Sequence, residues 1–398
     1  MKQLRTLILV VICLATLPAH SQTDNDTYTV VVSLDGFRWD YTQFYDTPFF
    51  DYMASIGVES ALIPSFPSKT FPNHYTLATG LYPDHHGIVS NSFYDATTGE
   101  RFSLGNPKTK SNGRYYGGEP IWNTVQKNGQ RAAVYYWPGS DVKVQDMSPW
   151  HYHEYDEKPQ LTFNERVDGI IEMLSLPAAE RPRLVMAYFE QPDANGHRFG
   201  PQSKHTRDAV MKMDRLMQTL YQRLIALPIG PRINFIVVSD HGMTPITEER
   251  LINISAMLPR HWVKAIEGNI PANIYPAEGF TDSICGVLEN VAHIRFWRKA
   301  DIPARLHYGT NDRIGEIVVI PDVGWEIDTY LEERGSHGFD PDFNDMHALF
   351  RAVGPGFRHV TLPHFRNVCL YPLLCHLLGM EPAPNDGSLD DIREMLAR

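Results

Sequence analysis

The chain predicts an α/β fold: a central, mostly parallel sheet flanked by helices, with a small inserted subdomain. Three observations carry this. Short, almost continuous apolar runs rich in β-branched and aromatic residues recur along the chain, as in strands covered on both faces. Amphipathic helical periods lie between them. One stretch, at about 244–334, departs from the alternation.

Taken in order, Tyr28 to Leu34 (YTVVVSL) reads as the first strand and Arg131 to Trp137 (RAAVYYW) as the second. Phe163 to Leu174 has helical spacing, and Leu184 to Phe189 (LVMAYF) is the third strand. Val210, Met213, Met217, Leu220, Leu224 and Leu227 then recur three and four apart, which makes one apolar stripe of a helix whose methionines fill the core. Ile233 to Ser239 (INFIVVS) is the fourth strand, and the strand–helix alternation sets the class. From about Thr244 to Arg334 only short strand-like pieces such as Glu316 to Ile320 appear, so this stretch is expected to form the inserted subdomain. In Asn367 to Met380, five leucines at helical spacing put Cys369 and Cys375 on different faces; at most one of them can pair with Cys285, and disulfides do not define the fold.

With 398 residues, 43% of them hydrophobic, the chain can bury a large core, which excludes a disordered or disulfide-stapled chain. A net charge of −11 disfavours a surface for duplex nucleic acid. Lys2 and Arg5 precede the apolar run Leu7 to Leu17, followed by Pro18, Ala19 and Ser21, which reads as a signal peptide over residues 1–21 with Cys13 inside it. That run has 11 residues, short of the roughly 20 a membrane span needs. Residues 22–398 are therefore expected to form one domain without a membrane span, exported to a periplasm or the medium. No motif sets an oligomeric state, and a monomer fits.

The expected strands end in side chains that bind metals, at the sheet edge where open α/β sheets hold ligands. The first ends in Ser33-Leu34-Asp35-Gly36, the third runs into Asp193 and His197, and the fourth ends in Asp240-His241-Gly242; Gly335-Ser336-His337-Gly338 follows late in the chain. Each motif alone fits a capped turn with a surface histidine, but four converging loops bring together three carboxylates and three imidazoles. Oxygen and imidazole without cysteine suit Zn²⁺, with Mn²⁺ or a similar ion as the alternative, whereas Ca²⁺ and Mg²⁺ favour oxygen alone. Six ligands divide into two open three-ligand sites. Two divalent ions against three aspartates leave a net positive charge, matched to a phosphate anion, and two neighbouring metals can clamp both oxygens of a displacement at phosphorus.

Pro72 suggests a helix start, so Thr70 lies at or beside an N-terminus that favours anions. Thr70 is there either as an N-cap or, beside a metal, as an activated hydroxyl. Asn91, in Val89-Ser90-Asn91-Ser92, reads by itself as a turn residue.

Ser33 to Tyr41 (SLDGFRWDY), Phe66 to Gly87 (FPSKTFPNHYTLATGLYPDHHG), Tyr188 to Pro201 (YFEQPDANGHRFGP), Ser239 to Gly242 (SDHG) and Gly335 to Phe339 (GSHGF) together resemble the nucleotide pyrophosphatase/phosphodiesterase family of the alkaline phosphatase superfamily. Gly117 to Trp122 and Trp137 to Asp141 extend the similarity over almost the whole expected domain. The resemblance implies an alkaline-phosphatase-like fold and hydrolysis of nucleotide 5′-phosphodiester or pyrophosphate bonds through a phospho-threonine on Thr70. It implies one zinc on Asp35, Asp240 and His241 and a second on Asp193, His197 and His337. Asn91 would contact a phosphoryl oxygen beside the Phe71 N–H. Phe71 and Tyr188 would sandwich a nucleobase, with Trp137 bordering the pocket; core packing is the alternative for each ring, and an aromatic clamp also suits a choline head group.

Sulfatases need Cys or Ser followed by x-Pro-x-Arg, whereas Phe71-Pro72-Asn73 follows Thr70. A phosphomonoesterase would add a cation for the extra phosphate charge, and no arginine adjoins Thr70, although Lys69 does. A phospholipid-headgroup phosphodiesterase stays as the alternative within the family. An exported binding protein on a dead enzyme scaffold would have lost a ligand or the nucleophile, and none is missing.

Overall fold

The computed structural model describes residues 27–397, so the leader read from residues 1–21 lies outside the described residues. Strands β1 (Tyr28–Leu34) and β2 (Val58–Ile63) precede helix α1 (Thr70–Thr79). Then come β3 (Ala132–Tyr135), β4 (His151–His153), α2 (Phe163–Ser175), β5 (Leu184–Phe189), α3 (Asp193–Phe199), α4 (Lys204–Ile225) and β6 (Ile233–Val238). After the 244–334 stretch follow β7 (Ala348–Val353) and α5 (Leu370–Leu378).

The main sheet runs β2-β7-β6-β1-β5-β3-β4, with the short pieces Val360–Thr361 and Phe365–Arg366 added on β2. All neighbours are parallel except β7, which is antiparallel to both β2 and β6. Successive residues of a strand point to opposite faces, and both faces here are apolar. Val31, Leu184 and Met186 join one cluster with α5 and the helix Ile121–Lys127, while Val30, Val32, Val185 and Ala187 join the other with α2 and α4. The stripe expected between Val210 and Leu224 is the buried side of α4. Within 244–334, the strands Val263–Glu267, Ala272–Pro276, Ile317–Pro321 and Ile294–Arg298 form a separate antiparallel sheet with its own apolar cluster. Cys285, Cys369 and Cys375 are all buried free thiols, so neither Cys369 nor Cys375 pairs with Cys285.

Helix α1 is fixed from both ends of its loop. Buried Asn73 accepts the Ser65 N–H at 2.8 Å and donates to the carbonyls of Pro67 and Lys69 at 2.9 Å. His86 sits against the same helix, with Nε2 3.2 Å from the Pro72 carbonyl and 3.1 Å from Thr76 Oγ1. Burial pushes its imidazole from 6.5 down to about 3. The unfolded chain takes up a proton below 6.5 that the folded chain refuses, so this stabilisation is present above 6.5 and is lost as pH falls toward 3. The slope reaches about 1.4 kcal/mol per pH unit. Denaturant titrations between pH 6.5 and 4 should show a shallower loss of stability for His86→Gln than for the wild type; equal slopes would refute the assignment.

Candidate active site

The parallel arrangement delivers the carboxyl ends of β1, β2, β5 and β6 to one edge, and each leads to a residue singled out from the sequence. Asp35 follows β1, Thr70 opens α1 after β2, Asp193 and His197 lie on α3 after β5, and Asp240-His241 follow β6. His337 comes from the strand Gly335–Ser336, which pairs with Thr244–Pro245 beyond β6. Gly36 makes the closeness of β1 and α3 workable: its φ is +65°, and a Cβ there would lie 2.8 Å from the Asp193 Cβ.

All six ligand candidates meet in two groups. His241 Nε2 lies 3.4 Å from Asp35 Oδ1 and 3.0 Å from Asp240 Oδ2. His197 Nε2 lies 3.4 Å from Asp193 Oδ1 and 3.1 Å from His337 Nε2, and His337 Nε2 lies 3.8 Å from Asp193 Oδ1. Four ligands on a tetrahedral zinc with bonds near 2.0–2.1 Å are roughly 3.3 Å apart, so both groups have the spacing of three ligands on one ion. His241 also stands within 4.8 Å of Asp193 and His337, its ring stacked on that of His337 with centroids 3.5 Å apart, so the groups adjoin.

The carboxylates test this fit independently. Asp35 Oδ2 accepts the Tyr188 hydroxyl at 2.5 Å, and Asp240 Oδ1 accepts the Gly36 N–H at 3.2 Å. The opposite oxygens, Asp35 Oδ1 and Asp240 Oδ2, are buried and accept no hydrogen bond from a hydroxyl or backbone N–H, nor does Asp193 Oδ1; only the imidazoles of these groups and of His74 stand near them. Three orphaned carboxylate oxygens in one spot are costly unless a cation meets them. Burial, with Asp240 and Asp193 nearby, holds the Asp35 carboxyl well above its usual range. Burial acts on Asp240 in the same direction, but His241 and His74 outweigh it and hold that carboxyl well below.

Thr70 is the first residue of α1, not its cap; the cap position is Lys69. Its Oγ1 instead turns to His241 Nε2 at 3.1 Å. The Phe71 N–H donates to Asn91 Oδ1 at 3.0 Å, which fixes that amide with its nitrogen as the remaining donor. Lys69 is buried behind Thr70, its amino group donating to Asn269 Oδ1 at 3.2 Å.

Phe71, Asn91, Trp137 and Tyr188 line a cavity of about 400 Å³ that opens beside Thr70, Asp35 and Asp193. Two of the rings are already committed: Tyr188 is buried with its hydroxyl on Asp35, and the Trp137 Nε1–H donates to the His74 carbonyl at 3.0 Å. Sequence reasoning missed several residues here. His74 joins the site, its Nε2 2.8 Å from Ser33 Oγ and its Nδ1 2.9 Å from the Thr70 carbonyl; the four-residue spacing within α1 was the available signal. Tyr155 lines the cavity, its ring packed edge-to-face with that of Tyr188, and is 41% exposed. Lys110, ion-paired to Asp141 at 3.5 Å and also to Asp156, sits at the same cavity. Neither Tyr155, in a turn, nor Lys110, at the end of the four-residue helix Pro107–Lys110, lies in a periodic stretch that would mark it.

A family profile described as type I phosphodiesterase / nucleotide pyrophosphatase matches residues 29–340. The chain is 37% identical over 375 residues to human ectonucleotide pyrophosphatase/phosphodiesterase family member 5, an alignment covering 92% of this chain and 77% of that one. It is 36% identical over 382 residues to the human bis(5′-adenosyl)-triphosphatase ENPP4, covering 92% and 81%. It spans about half the length of the venom phosphodiesterases it also matches. An inactive threonine-to-alanine variant of murine family member 5, solved in complex with AMP, superposes with a TM-score of 0.88 at 35% identity over 94% of this chain and all of that one. The matched profile, the shared fold and the extent of these alignments establish that the chain is a hydrolase of the type I phosphodiesterase/nucleotide pyrophosphatase family.

Proposed function

We propose that this protein cleaves nucleotide 5′-phosphodiester or pyrophosphate bonds and releases a nucleoside 5′-monophosphate, through a covalent intermediate on Thr70. The observation that carries the reading is the pair of ligand triads with three orphaned carboxylate oxygens, set beside the Thr70 hydroxyl at the mouth of an aromatic-lined cavity. Asp35, Asp240 and His241 would hold one zinc, and Asp193, His197 and His337 a second. When bound, the ions supply positive charge against the phosphoryl and departing oxygens and make nearby hydroxyl and water oxygens easier to deprotonate.

The chain's own residues do the rest. Thr70 Oγ, its proton passed to solvent, attacks phosphorus as the bond to the leaving oxygen breaks and that group departs; water then attacks the same phosphorus, its oxygen stays on the released nucleoside 5′-monophosphate, and a proton returns to Thr70 Oγ. Asn91, its Oδ1 anchored by the Phe71 N–H, presents its amide N–H to a phosphoryl oxygen. Tyr188 orients Asp35, while Gly36 and Ser239 orient Asp240. A diester suits the site because neither nearby lysine is offered to a second phosphate charge: Lys69 is turned to Asn269, and Lys110 is ion-paired to Asp141 and Asp156. A planar base would pack among the rings that line the cavity, the half-exposed Tyr155 and the edges of buried Phe71, Tyr188 and Trp137. The names of the relatives, a bis(5′-adenosyl)-triphosphatase and a variant complexed with AMP, support a nucleotide. No helix among the described residues is long and apolar enough to cross a membrane. The leader read from residues 1–21 extends the reading to an exported protein, which N-terminal sequencing of the mature chain tests.

The function is tested by comparing rates on thymidine 5′-monophosphate p-nitrophenyl ester, p-nitrophenyl phosphate and p-nitrophenyl phosphorylcholine, which share a leaving group. The nucleotide ester should be strongly preferred. Tyr155→Ala should raise its KM roughly tenfold, in line with an aromatic contact of about 1–1.5 kcal/mol, without changing zinc content. Preference for phosphorylcholine or for the monoester would overturn the nucleotide assignment.

A further inference from the structure

We infer that Glu333 is a positioning residue for the Asp193, His197 and His337 group, its carboxylate setting how tightly that group holds a divalent ion; this rests on the two-zinc reading above. All three site histidines turn Nε2 inward and anchor Nδ1 elsewhere, but their anchors differ. His241 Nδ1 meets the Gly242 carbonyl at 2.8 Å and His337 Nδ1 meets the Ser68 carbonyl at 2.8 Å. His197 Nδ1 meets the Gly335 carbonyl at 2.9 Å and also Glu333 Oε2 at 2.6 Å. Among the three ligand imidazoles, it is the one with an anionic anchor.

A backbone carbonyl alone already selects the tautomer that leaves Nε2 free for a metal, as it does for His241 and His337. What Glu333 adds is charge. A carboxylate on the outer nitrogen makes the inner one a stronger donor, and such outer partners change metal affinity roughly 10–100-fold. The backbone supports the same role. The Arg334 N–H donates to the His197 carbonyl at 2.6 Å, so Glu333, Arg334 and Gly335 clasp His197 from its main chain to its ring. His197 needs that support most, because it sits on the seven-residue helix α3 and is less buried than His241 or His337. In the sequence, Leu331-Glu332-Glu333-Arg334 looks like any solvated charge run, and the Glu333 side chain is 43% exposed. That exposure means its replacement should leave the fold intact.

Zinc-loaded wild type, Glu333→Ala and Glu333→Gln are titrated with a chromogenic chelator, and release of the two equivalents is followed alongside thermal melting at saturating zinc. One equivalent should leave Glu333→Ala roughly 10–100-fold more readily, the other should be unchanged, Glu333→Gln should fall between, and the zinc-saturated melts should superimpose. Release from both variants indistinguishable from wild type, or equal weakening of both equivalents, overturns the assignment. If wild type holds two equivalents and Glu333→Ala releases them normally, Glu333 alone is refuted. If wild type holds fewer than two, the two-zinc reading fails and this inference fails with it.

Discussion

Replacing Thr70 with alanine should lower turnover of the nucleotide ester by roughly 10⁴-fold or more, while zinc content and affinity for a nucleoside 5′-monophosphate stay near wild type. The asymmetry follows from what the side chain touches. Thr70 Oγ1 stands 3.1 Å from His241 Nε2, at the head of α1, and the cap position of that helix belongs to Lys69. Removing the hydroxyl therefore removes the proposed attacking atom without loosening a ligand candidate or the helix start. Thr70→Ser should keep part of the activity, because it keeps a hydroxyl on the same backbone atom. Single-turnover kinetics, zinc analysis and calorimetric titration with AMP make the measurement. Substantial residual turnover in Thr70→Ala would refute the nucleophile assignment.

Much of this site could be read from the sequence because parallel strands buried on both faces leave clear marks. β1, β5 and β6 are uncharged apolar runs, and the motif residues follow directly at their carboxyl ends. β2 and β7 carry no such mark, for a physical reason. They pair antiparallel near the sheet edge with Glu59 opposite Arg351, joined at 2.9 Å, and those charges interrupt the apolar pattern. An ion pair between strands, with Arg351 buried and the Glu59 carboxylate half-exposed, looks like a loop until both strands are seen. The committed groups of Tyr188 and Trp137, the Asn91–Phe71 bond and the clasp of Glu333 on His197 are all contacts distant in sequence, which no local pattern encodes.

Removing a ligand should separate two effects that usually travel together. Asp193→Asn and His337→Ala should each weaken one zinc equivalent and slow turnover roughly 10²–10³-fold, the scale of a lost metal contribution to charge stabilisation. Unchanged zinc content in both would sink the ligand assignment. The metal-free proteins should behave differently. In them Asp35, Asp193 and Asp240 crowd together without a cation; Asp240 stays ionised beside His241 and His74, while burial and the neighbouring carboxylates raise Asp35, and burial raises Asp193 despite His197 and His241. A carboxyl raised above its unfolded value of 3.8 contributes stability that is present below 3.8 and lost as pH rises through the folded value. Chelation should therefore lower the melting temperature more at pH 8 than at pH 5. Asp193→Asn removes a carboxylate whose ionisation burial opposes more strongly than His197 and His241 favour it, so its metal-free form should melt higher than metal-free wild type, although its zinc-supplemented form melts lower. A metal-free Asp193→Asn protein less stable than metal-free wild type at pH 8 would mean that the carboxylates are structural anchors and not a cluster held together by the ions they bind.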